Sequence, residues 1–208
     1  MTKQYMYSVK KLQLMKFRIK IQPIFWILLS FALIFVPVSW VFSWITASLL
    51  HELFHIIALQ VCGQNIRQIY IGASGAEIET DLEPGIKTAF CAMAGPLSGF
   101  LLLSVAHTFP KIAICGFLQS ISNLIPVTPL DGSKILSGIV YMLFNREKAS
   151  KISHYIEALF KLSVCIVVCY SVVRFKLGIL PLILLYILFT KKFLANRRPW
   201  QYNKNNIN

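Results

Sequence analysis

Leu49-Leu50-His51-Glu52-Leu53-Phe54-His55-Ile56-Ile57 is the stretch from which the rest of the chain can be read. Two histidines four residues apart on a helix project from one face, one above the other. Their imidazoles are then spaced to share a single tetrahedral zinc ion. Glu52 follows the first histidine, so its carboxylate can reach a water at that ion without itself being a ligand. H-E-x-x-H is the spacing of zinc-dependent hydrolysis, with the glutamate as general base.

The surroundings of the motif decide the fold. From Ser39 to Val61 the only ionisable side chains are His51, Glu52 and His55. A helix of that length measures about 33 Å, enough to cross a bilayer, and His51 falls roughly 15 Å from its Val61 end. Ionisable groups near the midplane are costly and mark functional sites. The composition agrees: 56% of the 208 residues are hydrophobic, 14% are charged and the mean hydropathy is +0.64. These values predict an all-α polytopic membrane protein of about six transmembrane helices.

Outward from the motif, residues 1–22 form a basic segment with Lys3, Lys10, Lys11, Lys16, Arg18 and Lys20. The alternation of basic and apolar residues over Lys10–Ile21 predicts an interfacial helix on an anionic leaflet. Residues 23–195 read as one integral membrane domain. Its first span, Pro23 to Val36, is short, ends at Pro37 and is retained rather than cleaved. After the second span, residues 62–86 carry four glycines and four of the chain's eight acids. Ile66–Ile71 and Ala76–Thr80 read as a β-hairpin on the cytoplasmic side, whose free edge can take an extended peptide as an added strand; a plain connecting loop fits the same residues.

The third span, Ile86 to Thr108, holds Ala92-Met93-Ala94-Gly95-Pro96-Leu97-Ser98-Gly99, small residues that let helices approach closely. The fourth apolar run, Ile112 to Ile125, breaks at Asn123-Leu124-Ile125-Pro126-Val127-Thr128-Pro129-Leu130-Asp131-Gly132. Irregular backbone at membrane depth is tolerated where it is buried in protein or lines a wet cavity. Asp131 is there either to cap a helix or as a third metal ligand, which would leave one zinc position for water. The polar run Asn145–Ser153 reads as a loop, and His154–Val173 and Leu177–Leu194 as the fifth and sixth spans. Residues 196–208 are expected to be a disordered, basic and asparagine-rich tail.

With six spans, one membrane face collects sixteen lysines and arginines and the other three. The positive-inside rule then puts both termini and the hairpin in the cytoplasm. The net charge of +13 therefore belongs to lipid-facing flanks and not to a nucleic-acid surface. The five cysteines, odd in number and mostly in apolar stretches, read as reduced packing residues.

Taken together, His51-Glu52-Leu53-Phe54-His55 in a span, Ala94-Gly95-Pro96 in the next, and Asn123 to Gly132 ending in Pro-Leu-Asp-Gly resemble the site-2 protease family of intramembrane zinc metalloproteases. The layout is most similar to the stage IV FB-type sporulation members. The resemblance implies one zinc per chain on His51, His55 and Asp131, with Glu52 as base. It implies that Asn123 and the backbone at Pro126 and Pro129 position the substrate or its oxyanion. Gly75, Ala76, Glu77, Ile78 and Glu79 would hold the substrate extended. The implied substrates are membrane proteins or membrane-associated peptides, such as a sporulation pro-sigma or anti-sigma factor, with a regulatory membrane protein as a further partner. Two features depart from the pattern. Phe54 stands where the family commonly has glycine, and no stretch resembles the nucleotide-sensing CBS domain that sporulation members tend to carry. The rival readings are a metal transporter or other metal-binding membrane protein, and an inactive relative acting as a binding scaffold.

Overall fold

Pro37 splits the first apolar region into two helices, because its ring forbids the hydrogen bond a continuous helix would need. The computed structural model describes residues 18–72, 75–80, 82–175, 178, 181, 182 and 186 of the 208. Strand β1 (Arg18–Ile21) leads into helix α1 (Pro23–Phe35), with a proline at its first position, and α2 (Val38–Val61) begins after Pro37. Strands β2 (Ile66–Gly72) and β3 (Gly75–Thr80) precede α3 (Ile86–Leu102), which tightens into a 3-10 turn at Leu103–Val105. Helices α4 (Pro110–Asn123), α5 (Asp131–Leu143) and α6 (Arg146–Phe175) complete the described elements.

The chain divides into two compact units, residues 1–160 and 161–208. The first holds every element up to the N-terminal half of α6. In the second, the longest described stretch is the C-terminal half of that helix.

Within the first unit α3 is the central helix, packed against α2, α4 and α5, while α2 also packs on α4. Small residues make these approaches possible. A side-chain carbon added at Gly99 would overlap the Gly116 carbonyl and Ser120 Oγ of α4. One added at Gly138 of α5 would meet Ala89 of α3.

The polarity of the helices is inverted relative to a water-soluble bundle. On α2 the buried positions are Val41, Ser43, Ala47, His51, His55, Ala58 and Leu59, whereas Leu49, Leu53 and Ile57 face outward. Large apolar groups outside and small or polar groups inside suit a surrounding hydrocarbon solvent. Among the described residues three helical stretches are long and apolar enough to cross a membrane: Val38–Val61, Ile86–Val105 and Arg146–Phe175. This is a membrane protein.

Of the six expected spans, three are matched by long apolar helices among the described residues. Helix α1 has 13 residues and α4 has 14, about 20 Å each at 1.5 Å per residue, short of a hydrocarbon core of about 30 Å. Asn145–Ser153 is not a loop: α6 starts at Arg146 and carries these residues into the expected fifth span without interruption. Glu147, Lys148, Ala149 and Lys151 are good helix formers, so polarity there does not end the helix. The sixth expected span lies largely, and the tail entirely, outside the described residues.

The hairpin is present and has become a three-stranded sheet in the order β1-β2-β3. Strand β3 runs antiparallel to β2, with Ile69 opposite Ile78 and Gly72 opposite Gly75. Strand β1 runs parallel to β2, with Ile19 opposite Ile69 and Ile21 opposite Ile71. The described end of the expected interfacial helix is thus a strand: Arg18-Ile19-Lys20-Ile21 alternates with period two, and its isoleucines favour extended backbone. Ile66 and Ile69 pack with Ala58 and Leu59 of α2, Leu82, and Cys91 of α3. A Schellman turn joins α2 to the sheet. Gly63 takes φ +68°, its N–H bonds the Gln60 carbonyl, and the Gln64 N–H bonds that of Leu59.

Because the α3–α4 contact runs through Gly99, Gly99→Val should destabilise the protein by about 1–3 kcal/mol through overpacking. Thermal unfolding in detergent checks this, and an unchanged midpoint would mean that the two helices do not approach so closely.

Candidate metal centre

The histidine spacing on α2 and the break after α4 converge on one buried point. His51 Nε2 and His55 Nε2 lie 3.2 Å apart. Asp131 Oδ2 is 3.1 Å from the first and 2.9 Å from the second. All three residues are buried, at 2%, 7% and 6% exposure. Asp131 comes from the first position of α5, where it makes no capping bond, so its carboxylate is directed to the histidines and not to its own helix.

One of the two histidines is oriented from outside the cluster. His55 Nδ1 donates to the Cys91 carbonyl of α3 at 2.8 Å, which leaves the lone pair of Nε2 pointing at Asp131. His51 Nδ1 is buried with no hydrogen-bond partner among the described residues. Helix α3 forms the floor: a side-chain carbon at Gly95 would overlap the Nε2 atoms of both histidines. The glycine of Ala94-Gly95-Pro96 is therefore the gap into which the imidazoles fit.

The arrangement suits a divalent metal. Four bonds of about 2.0–2.1 Å in a tetrahedron put ligand atoms about 3.3 Å apart. The three atoms here, two nitrogens and one carboxylate oxygen, lie 2.9–3.2 Å from one another. Two imidazole lone pairs and an anionic oxygen so close together repel unless a cation or protons lie between them. His51, His55 and Asp131 are also the cluster of metal-binding side chains among the described residues.

The other expected site residues fall at different distances from this point. Asn123, the last residue of α4, has its side-chain amide 3.2 Å from His51 Nε2. Glu52 is half-buried and close enough to His55 and Asp131 to interact electrostatically. Pro126 and Pro129 belong to the irregular segment between α4 and α5, in which Val127 is buried at 1% exposure. Gly75, Ala76, Glu77, Ile78 and Glu79 form most of β3, an edge strand of the sheet, with Gly75, Glu77 and Glu79 exposed.

Two residues escaped the sequence reading. Lys134 of α5 places its ammonium 3.1 Å from Asp131 Oδ1, the oxygen that does not face the histidines. Glu157 of α6 accepts bonds from both the backbone N–H and the hydroxyl of Thr128, and so ties down the segment that delivers Asp131. Both had a signal: each is a charged residue inside an otherwise apolar stretch of the sequence.

The helices and the small sheet between two of them have a counterpart among solved structures. The fold matches the site-2 protease from Methanocaldococcus jannaschii with a TM-score of 0.66 and 20% identity, over 89% of this chain and 94% of that one. In sequence the chain is similar to stage IV sporulation protein FB of Bacillus subtilis, 24% identical over 164 residues. That alignment takes in 72% of this chain and 55% of the relative, so the chain spans about half the relative's length. No family model matches. The resemblance drawn from the three motifs is thus borne out in fold and in sequence.

Gly95→Ala should push the imidazoles apart and lower bound zinc at least tenfold, whereas Gly85→Ala, where a side-chain carbon meets nothing, should retain it. Metal analysis of the purified variants measures this; equal zinc in both would rule out Gly95 as the floor of the site.

Proposed function

We propose that the chain is an intramembrane zinc metalloprotease that hydrolyses peptide bonds within or beside transmembrane segments of other proteins. The observation that carries this reading is the meeting of Asp131 Oδ2 with the Nε2 atoms of His51 and His55, next to Glu52. His51, His55 and Asp131 would hold one zinc, which when bound supplies Lewis-acid polarisation of a carbonyl and a water activated at neutral pH.

The residues then divide the work. Glu52 removes the proton from the attacking water and returns it to the departing amine, as a general base and then acid. Asn123 donates its amide N–H to the oxygen on which negative charge develops. Strand β3 lies at a sheet edge, so an unwound substrate can add to it as a further strand, with backbone hydrogen bonds replacing those lost from its helix. The irregular segment at Pro126 and Pro129 has non-helical backbone suited to line a water-accessible cavity.

The protein sits in the bacterial cell membrane as a multi-pass protein with both termini in the cytoplasm, the side its basic flanks favour. Its substrates are membrane proteins or membrane-associated peptides, and a membrane partner regulates it. The similarity to a protein named for stage IV of sporulation supports a sporulation role, and a pro-sigma or anti-sigma factor is the substrate we propose for it.

Glu52→Gln should keep its zinc yet cleave co-reconstituted single-span membrane proteins about 10²–10⁴-fold more slowly than wild type. A fully active Glu52→Gln enzyme would remove the base from the mechanism. Metal flux across the vesicle without cleavage by the wild type would favour transport instead. Asp131→Asn should lose zinc as well as activity, and undiminished metal content would exclude Asp131 as a ligand.

A further inference from the structure

The two oxygens of Asp131 have different partners. Oδ2 faces both histidines, at 3.1 Å and 2.9 Å, while Oδ1 faces Lys134 Nζ at 3.1 Å. The Asp131 side chain is 9% exposed and that of Lys134 49%, so the ammonium reaches in from the surface to a carboxylate that is almost enclosed. We propose that Lys134 is a positioning residue for the metal: by holding Oδ1 it makes Asp131 offer a single oxygen to the ion. This inference rests on the reading of His51, His55 and Asp131 as a metal site.

The helix dipole does not explain the lysine. Lys134 sits at the fourth position of α5, in the first turn, where the helix dipole disfavours a cation. Nor do the basic flanks explain it. Sixteen of the 21 lysines and arginines fall in residues 1–22, 62–87, 146–151 and 191–204, and Lys134 lies outside all four segments. What the position does supply is reach. Three residues along a helix brings a side chain onto the same face as Asp131, and the long stem lets the charge meet the oxygen turned away from the histidines.

The chemical consequence concerns ligand count. A carboxylate can bind a metal through one oxygen or both. A catalytic zinc site takes three protein ligands and keeps its remaining position open. If Asp131 gave both oxygens, the second would compete for that position. The bond from Lys134 commits Oδ1 elsewhere, and an outer partner of this kind also fixes the orientation of the ligand. Lys134→Arg preserves a cation that can reach Oδ1, whereas Lys134→Met keeps an unbranched apolar stem without the charge.

The test uses the purified full chain in detergent, stripped of metal and titrated with cobalt(II) alone. Affinity is read by competition with a chromophoric chelator, and ligand number by the intensity of the visible cobalt bands, which weaken as coordination rises above four. Lys134→Met should bind cobalt about 10–100-fold more weakly and show weaker bands, while Lys134→Arg restores both. Thermal unfolding of the metal-free chain should be the same for all three. If Lys134→Met is recovered unfolded, Lys134→Ala, with the most helix-favouring residue, supports the same comparison. Wild-type affinity and an unchanged spectrum in the neutral variant would overturn the proposal while leaving the metal site intact. Equal losses in the neutral and arginine variants would overturn it too, by tracing the effect to packing of the stem. A wild-type chain that takes up no cobalt would overturn the metal-site reading itself.

Discussion

Three nitrogen and oxygen atoms held about 3 Å apart in a buried interior repel one another unless a cation or protons lie between them, and the rest of the structure serves to hold them there. Two come from neighbouring turns of α2 and the third from the start of α5, between 76 and 80 residues further along the chain. No local preference of either helix produces that meeting. It depends on α3, which offers a carbonyl at Cys91 to orient one imidazole and a missing side chain at Gly95 to make room for both. The close packing of α3 on α4 through Gly99, and on α5 through Ala89 and Gly138, brings the remaining helices into range.

The break between α4 and α5 follows from the same requirement. A continuous helix would carry Asn123 and Asp131 eight residues apart along one rod, about 12 Å. The irregular segment instead folds back, so that both side chains reach His51 Nε2, at 3.2 Å and 3.1 Å. Its backbone polar groups must be satisfied in an apolar setting. Glu157 supplies part of that by accepting two bonds from Thr128, and Val127 closes the segment against the interior. Lys134 and Glu157 thus fasten Asp131 and the segment before it from two directions. Both are charged groups in apolar regions, where an ionisable side chain persists only with a partner.

The sheet shows where local pattern and tertiary setting parted. Ile66–Gly72 and Gly75–Thr80 carried strand and turn signals strong enough to be read directly. The pattern of Arg18–Ile21 also fits an amphipathic helix, because its basic residues suit a membrane surface equally well. The exposed edge of β2 decided otherwise, since unpaired backbone groups there gain hydrogen bonds from any extended neighbour. The polar start of α6 differs from the loop its composition suggests for a related reason: charge density marks solvent, and solvent is compatible with a helix as readily as with a loop.

Much of this protein was written locally. The spacing of His51, Glu52 and His55, their isolation in an apolar helix, and the prolines ahead of Asp131 follow from neighbours in sequence, so helical periodicity and side-chain chemistry suffice to read them. From these the sequence determined a membrane setting, a metal-type motif and the candidate third ligand. Only the tertiary structure decided that Asp131 faces the histidines and does not cap its helix, that Gly95 is the floor beneath them, and that β1 closes one side of the sheet. Each of those is a contact between distant segments, and contact depends on the packing of helix against helix, which a linear pattern does not contain.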